Sequence, residues 1–246
     1  DVVREVAYQT LTKSSRAQRH AGVAAVMLDF GLAPIDQVAH HTAAAAELTA
    51  ELGPVDGVLD NVRPTAIELL AQASARALDV GAFAHAIRQS TRALDLLGPE
   101  GDEVLRRDLK LTRAQAGIER RDADAAVADA EEVLELALQD GDTQREAIAR
   151  RLIGGGAQQQ GELERARLEL SESVALLRTL DAPEELTTSR SDRGFVEVFG
   201  GSLVDADRYL SEAEELAQER DDRRRLAWIR QHQAWVAFLS GDTELA

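Results

Sequence analysis

Gly81, Arg121, Gly161, Gly201 and Gly241 stand forty residues apart, and each opens a copy of one short phrase. The copies read Gly81-Ala-Phe-Ala-His-Ala86, Arg121-Asp-Ala-Asp-Ala-Ala126, Gly161-Glu-Leu-Glu-Arg-Ala166, Gly201-Ser-Leu-Val-Asp-Ala206 and Gly241-Asp-Thr-Glu-Leu-Ala246. A fixed period of this length constrains a chain severely. Each copy is too small to bury its own apolar face, so the copies must stack on one another into a solenoid. Solenoids usually serve as binding scaffolds, so the period says much about architecture and little about chemistry.

The residues that fill the period are helix formers. Ala, Leu, Glu, Arg and Gln dominate, aromatic residues make up 4% of the chain, and β-branched runs are scarce. The expectation is therefore an all-α protein with one grammar per unit. A first helix carries a small residue at Ser74, Ala114, Gly154, Gly194 or Ala234. Seven residues later comes the turn, where glycine tolerates the left-handed backbone that ends a helix. Arg121 is the exception and is expected to weaken its turn slightly. A second helix follows with apolar residues three and four apart: Phe83, Ala86, Ile87, Ala93, Leu94 and Leu97 in one unit, and Leu163, Ala166, Leu170, Val174 and Leu177 in another. A third set is Leu203, Ala206, Leu210, Ala213 and Leu216. Polar connectors are expected at Gly98–Glu103, Gln139–Thr143, Asp181–Glu185 and Gln218–Arg223.

These residues resemble the tetratricopeptide (TPR) family, whose pattern is a small residue, then Gly-Asp-Tyr-x-x-Ala-Ile, then a later Ala-Leu. Val80-Gly-Ala-Phe-Ala-His-Ala-Ile87 and Ala93-Leu94 carry the match. The resemblance covers about residues 62–246, as four full units and a fifth that stops early. It implies a solenoid of helical hairpins wound as a right-handed superhelix. Three features depart from the family. Leu70, Lys110, Arg150, Arg190 and Arg230 replace its early aromatic, its terminal proline is missing, and the unit exceeds the usual thirty-four residues. Extended units of this kind are similar to those of large bacterial signalling ATPases.

Residues 1–61 do not carry the period. Asp1–Leu11 and Ser15–Phe30 read as helices, with Val2, Val3, Val6, Ala7, Ala21, Val23, Ala24, Val26 and Met27 as their apolar positions. Gly31 and Pro34 break the second. A third runs from Ile35 to Leu52, closed by Gly53-Pro54, and Gly57–Pro64 reads as a loop. Val2-Val3-Arg4-Glu5-Val6-Ala7-Tyr8-Gln9-Thr10-Leu11, followed by Arg16, Arg19 and His20, resembles the junction closing a winged-helix segment of ATPase-linked, actinobacterial-type regulators. Ala39-His40-His41 resembles an element just after it. The resemblance implies residues 1–30 as the helical tail of an upstream module, 31–61 as a connector or degenerate repeat, and 62–246 as the array. It also implies neighbours such as a nucleotide cyclase or DNA-binding domain on a longer polypeptide. The start at Asp1 and the stop at Ala246 inside a repeat fit a piece of such a protein.

The 28 basic and 44 acidic residues leave a net charge of −16, which repels a phosphate backbone and argues against nucleic acid as a partner. Solubility is the simplest reading of that charge. With no cysteine there is neither a disulfide frame nor a thiolate metal site. No apolar run approaches membrane-spanning length and no signal peptide is visible, so the cytoplasm is the expected compartment. Gly154-Gly155-Gly156 lacks a following Gly-Lys-Ser/Thr and sits in a predicted first helix, which favours close helix packing over phosphate binding. His40 and His41 are adjacent and should point apart on a helix, which argues against a shared metal. His20 and His85 read as lone histidines, structural or solvated. Pairs such as Glu131-Glu132 and Glu214-Glu215 carry no catalytic signal amid so many carboxylates. No nucleophile–base arrangement is present, so neither catalysis nor a cofactor is expected.

In the TPR family the first helices line the concave face. Transferred to this sequence, that pattern places Gln115, Glu119, Arg151, Gln159, Asp192, Phe195, Phe199, Trp228, His232, Trp235 and Leu239 there. Trp228 and Trp235 are seven apart and share one helix face. Aromatics with a charged rim suit a peptide, protein or small effector. Both tryptophans also fit as core residues, or as a self-association surface. The row Lys110, Arg150, Arg190, Arg230 reads as a solvated or stem-packed ladder, or as a track for acidic peptides or neighbouring acidic helices. The expected role is a non-catalytic interaction and regulatory module. The alternative is a spacer or homo-oligomerisation platform without a soluble ligand. The small residues at 86, 126, 166, 206 and 246 let paired helices approach closely. Ala166→Phe should therefore overpack that contact and cost about 1–3 kcal/mol in urea unfolding.

Overall fold

The computed structural model describes residues 6, 8–31 and 33–241 of the 246. Among them eleven helices are delimited and no strand occurs. They are α1 (Lys13–Phe30), α2 (Ile35–Leu52), α3 (Val62–Asp79), α4 (Phe83–Leu97), α5 (Glu103–Glu119), α6 (Ala123–Asp140), α7 (Thr143–Gln160), α8 (Leu163–Leu177), α9 (Pro183–Gly200), α10 (Leu203–Glu219) and α11 (Arg223–Leu239). First helices start at Glu103, Thr143, Pro183 and Arg223, and second helices at Phe83, Ala123, Leu163 and Leu203. Val6, Tyr8 and Gln9 are helical as well. Val2, Val3, Ala7 and most of the predicted helix over 1–11 lie outside the described residues, as does the end of the last phrase, 242–246.

The turn that closes each first helix explains the glycines. Gly81, Arg121, Gly161, Gly201 and Gly241 all take left-handed backbone, with φ between 63° and 82°. Ala82, Asp122 and Glu162, one residue on, donate their N–H to the carbonyl five residues back at 2.8–2.9 Å. That bond satisfies a carbonyl the helix end would leave open. Arg121 adopts the same conformation with a Cβ, which costs about 1 kcal/mol relative to glycine.

The helices extend into the expected loop and connectors. Val62, Arg63 and Pro64 belong to α3, not to a loop, because proline fits the first turn of a helix, where its missing N–H is not needed. Pro183, Glu184 and Glu185 likewise open α9 rather than ending a connector, with Pro183 as its first residue.

The chain divides into two compact units, Asp1–Ala116 and Gly117–Ala246, the division falling within α5. In the first unit α1 packs on α2, α2 on α3 and α3 on α4. The core is small-residue rich: Ala39, Ala43, Ala46, Ala66, Ala73 and Ala93 surround Leu70, Leu96 and Leu109. Here the histidines depart from expectation. His20 is not isolated: the Tyr8 hydroxyl lies 2.9 Å from its Nε2, and its Nδ1 lies 2.8 Å from Nδ1 of His41. His40 and His41 do not point apart. Their rings are 5.1 Å from each other and 6.0 and 5.0 Å from His20, because neighbouring side chains on α2 can converge on one residue of α1. Burial, then the adjacent His41 and His40, hold His20 below the usual imidazole range. His85 is not isolated either; it meets Gln89 at 2.9 Å and Asp36 at 3.5 Å.

In the second unit each helix from α6 to α11 packs on the next. The glycine triplet shows why α7 fits between its neighbours. A Cβ on Gly154 would stand 2.7 Å from Leu170 Cγ on α8, and one on Gly156 would stand 2.2 Å from Val127 Cγ2 on α6. Gly194 repeats the first contact on α9, with Leu210 Cγ at 2.8 Å. Deeper in, the carboxylate of Glu197 takes Arg167 at 2.9 Å and also pairs with Arg193, tying α8 to α9.

Gly155, between the two tight positions, faces only Ile118 Cγ2 at 3.5 Å. Gly155→Ala should gain about 0.5–1 kcal/mol by removing backbone freedom from the unfolded chain. Gly156→Ala should lose stability, because overpacking against Val127 costs about 1–3 kcal/mol and exceeds that gain. Urea unfolding of the two variants checks the opposite signs.

Candidate functional site

Helices α7, α9 and α11 are successive first helices, and α9 touches both of the others. They carry Arg151 and Gln159 (α7), Asp192, Phe195 and Phe199 (α9), and Trp228, His232 and Trp235 (α11). Spacing of three and four puts each set along one helical face.

The five aromatic residues come together around Phe195. Its ring meets Phe199 at 4.9 Å, Trp228 at 5.6 Å and His232 at 4.7 Å, all edge to face. His232 lies against Trp228 at 3.9 Å with a 30° tilt and meets Trp235 at 5.7 Å. Such ring pairs add about 0.5–1.5 kcal/mol each beyond their buried area. Trp228 also packs on the core formed by Val198, Leu210 and Ile229, so it is partly core. Phe199 and Trp235 are 50% and 47% exposed, leaving apolar ring surface open at the edge of the cluster.

Charge borders the rings. Arg151 Nη1 donates to Asp192 Oδ2 at 3.2 Å, and Arg225 Nη1 lies 3.9 Å from Asp192 Oδ1. Arg225 also donates to Ser191 Oγ at 3.3 Å and stands 5.7 Å over the Trp228 ring. Sequence reasoning missed Arg225 and Ser191. The signal for Arg225 was present, since it precedes Trp228 by three residues on one helix face. Gln159 donates Nε2 to the Ile118 carbonyl at 2.8 Å, while its buried Oε1 has no hydrogen bond. Gln115 and Glu119 sit on α5 and Leu239 at the end of α11; none joins the ring cluster.

His232 is buried, and its Nδ1–H donates to the Trp228 carbonyl at 2.8 Å, which leaves Nε2 as the lone-pair nitrogen. Burial holds its pKa below the usual imidazole range, against the opposing pull of the Trp228 carbonyl and Asp192.

The basic ladder lies on another side of these helices and pairs with the second helices. Arg150 holds Glu169 at 2.9 Å and Glu172 at 2.7 Å on α8. Arg190 approaches Glu212 at 3.5 Å and Arg230 holds Glu214 at 2.9 Å, both on α10. Of the expected roles for the ladder, the contacts of Arg150, Arg190 and Arg230 match the one toward neighbouring acidic helices. Among the described residues no group of three or more His, Asp or Glu side chains is placed to hold a metal ion, and no helix is long and apolar enough to cross a membrane.

No family model and no curated protein matches this chain. Its fold is nonetheless similar to solved structures. A Rap protein complexed with Competence and Sporulation Factor aligns with TM-score 0.68 and 13% identity, over 94% of this chain and 70% of that one. The apo form of RapI aligns with TM-score 0.62 and 15% identity, over 93% of this chain and 80% of that one. A signal transduction ATPase with numerous domains, carrying a tetratricopeptide repeat sensor, from Pyrococcus horikoshii, aligns with TM-score 0.58 and 13% identity. That alignment spans 92% of this chain but 34% of the larger protein. The class follows: the chain has an all-helical, tetratricopeptide-like solenoid fold.

Because the folded state holds His232 neutral, unfolding takes up a proton below about pH 6.5. Stability is thus unaffected by this group above that value and falls as pH drops through it toward the lowered folded-state pKa. His232→Asn removes the titration. Its melting temperature should decline less steeply than the parent's between about pH 7.5 and pH 5; equal slopes would exclude the coupling.

Proposed function

We propose that this chain is a non-catalytic interaction and regulatory module that binds a peptide or protein segment across the first-helix face of α7, α9 and α11. The observation that carries the reading is the aromatic cluster around Phe195, with half-exposed Phe199 and Trp235 and a border of Arg151, Asp192 and Arg225. Open ring surface accepts apolar side chains with little loss of side-chain freedom, and a charged rim sets orientation. The similar folds support a ligand-responsive role: one was solved with Competence and Sporulation Factor, and another belongs to a signal transduction ATPase with a tetratricopeptide repeat sensor.

In this reading the binding event passes to adjacent domains of a longer cytoplasmic polypeptide, with an ATPase, cyclase or DNA-binding domain as the candidates. The junction phrase at residues 2–20 supports that part, and its first residues lie outside the described ones. Net charge argues against nucleic acid as the ligand, and the reading needs no cofactor and no membrane.

A structural role, as a spacer or a homo-oligomerisation platform, is the second reading. Phe238 favours it. It holds the position on α11 that Val198 holds on α9, yet it is 67% exposed where Val198 is buried. A dimer seen in sedimentation that Phe238→Asp dissociates would support this reading.

Titration of a peptide panel against the parent, Phe195→Ala and Trp235→Ala tests the leading reading. A central aromatic anchor is worth more than about 1.4 kcal/mol, so each variant should weaken binding at least tenfold. Unchanged affinity in both variants removes this face from the proposal.

A further inference from the structure

The far side of α9 holds a different chemistry. An open pocket of about 350 Å³ lies there, lined by Arg178 at the end of α8, Arg190 on α9, and Arg208, Tyr209 and Glu212 on α10, with Val174 as an apolar wall. Helix geometry places Arg190 about 140° from Phe195 and about 180° from Phe199 around α9, so the pocket does not share the aromatic face.

Comparison of successive units shows what is unusual. Around Arg150 the scaffold supplies three carboxylates: Glu146 and Glu169 at 2.9 Å and Glu172 at 2.7 Å. Forty residues on, Leu186 stands in place of Glu146 and Tyr209 in place of Glu169. Arg190 keeps only Glu212, at 3.5 Å, and its buried Nε makes no hydrogen bond. Arg178 and Arg208 meanwhile occupy the positions of Leu138 and Leu168. Arg208 shares Glu212 at 3.4 Å, pairs with Asp205 at 3.1 Å and lies 4.1 Å from the Tyr209 ring centroid. Arg178 forms no ion pair among the described residues. A site with one arginine among three glutamates has thus become three arginines that share two carboxylates, Glu212 and Asp205, in a chain of net charge −16.

We infer that this pocket binds a small organic anion, its phosphate or carboxylate oxygens received by the guanidiniums of Arg178, Arg190 and Arg208. The guanidinium fork matches both oxyanions with paired N–H donors, and the pocket volume falls in the range of small-ligand sites. Tyr209 and Val174 give an apolar or ring-bearing body a surface to lie on. The overall negative field repels anions, so affinity for one must come from this local reversal of charge.

Calorimetric titration at low ionic strength tests the inference with three probes: adenosine monophosphate, citrate and adenosine. The expected result is binding of at least one anionic probe, weakened by added salt, and no binding of adenosine. The triple variant Arg178→Leu, Arg208→Leu, Tyr209→Glu installs side chains that the same scaffold carries one unit earlier, so it should fold, as circular dichroism would verify. It should weaken anion binding by at least about tenfold, and Arg178→Gln, an exposed single change, several-fold. If neither anion binds, if adenosine binds as well as its monophosphate, or if Arg178→Gln and the folded triple variant bind as the parent does, the inference is overturned. Peptide binding at Phe195 should be unchanged by these variants, so the two sites fail or stand separately.

Discussion

Close approach of helices is the constraint on which the second unit depends. α7 fits between α6 and α8 because Gly154 and Gly156 present no side chain where Leu170 and Val127 must lie, and Gly194 does the same for Leu210. Ala126, Ala166 and Ala206, all buried, answer from the second helices. The interior is close-packed, so a single methyl at these points has nowhere to go. What makes the approach repeatable is the turn after each first helix. Five residues in left-handed backbone reverse the chain after the first helices, and at Ala82, Asp122 and Glu162 the backbone bond that follows satisfies the open helix end. Packing distance and turn geometry together set the register that puts Phe195, Trp228 and His232 within ring contact.

A fixed scaffold can then carry different chemistry at equivalent positions. Position 155 is glycine, 195 phenylalanine and 235 tryptophan, so an unremarkable helix face becomes an aromatic one toward α11. On the other side of the same helices, Arg150 is saturated with glutamates while Arg190 stands in a cationic pocket. Buried apolar side chains packed between helices hold each unit together, and side chains at solvent-facing positions are left to vary.

The fold was legible because its signals are local and repeated: glycine at the turn, small residues at the helix contact, and apolar stripes at helical spacing. Arg121 was legible too, as a residue holding a glycine conformation at some cost. The aromatic face was half legible. The residues could be named from register, but whether Trp228 was core or surface depended on Val198 and Leu210, which approach it from α9 and α10. The histidines of the first unit were misjudged because sequence distance hides the contact: His20 and His41 stand twenty-one residues apart and meet only when α1 folds back on α2. The proline at 64 was read as a loop residue because proline punctuates helices in most places, and only the start of α3 at Val62 shows it in a tolerated first turn.

By itself the sequence determined a helical repeat, its turns and its small-residue contacts, because each rests on backbone preference or on spacing within one helix. Only the tertiary structure decided which charges are spent and which are left over. Arg150 and Arg190 are indistinguishable in the forty-residue pattern. Apart from Glu146 on the same helix as Arg150, their partners come from the next helix, and the distance and burial of those partners, which no single-helix pattern encodes, set a satisfied ion cluster apart from an open cationic pocket.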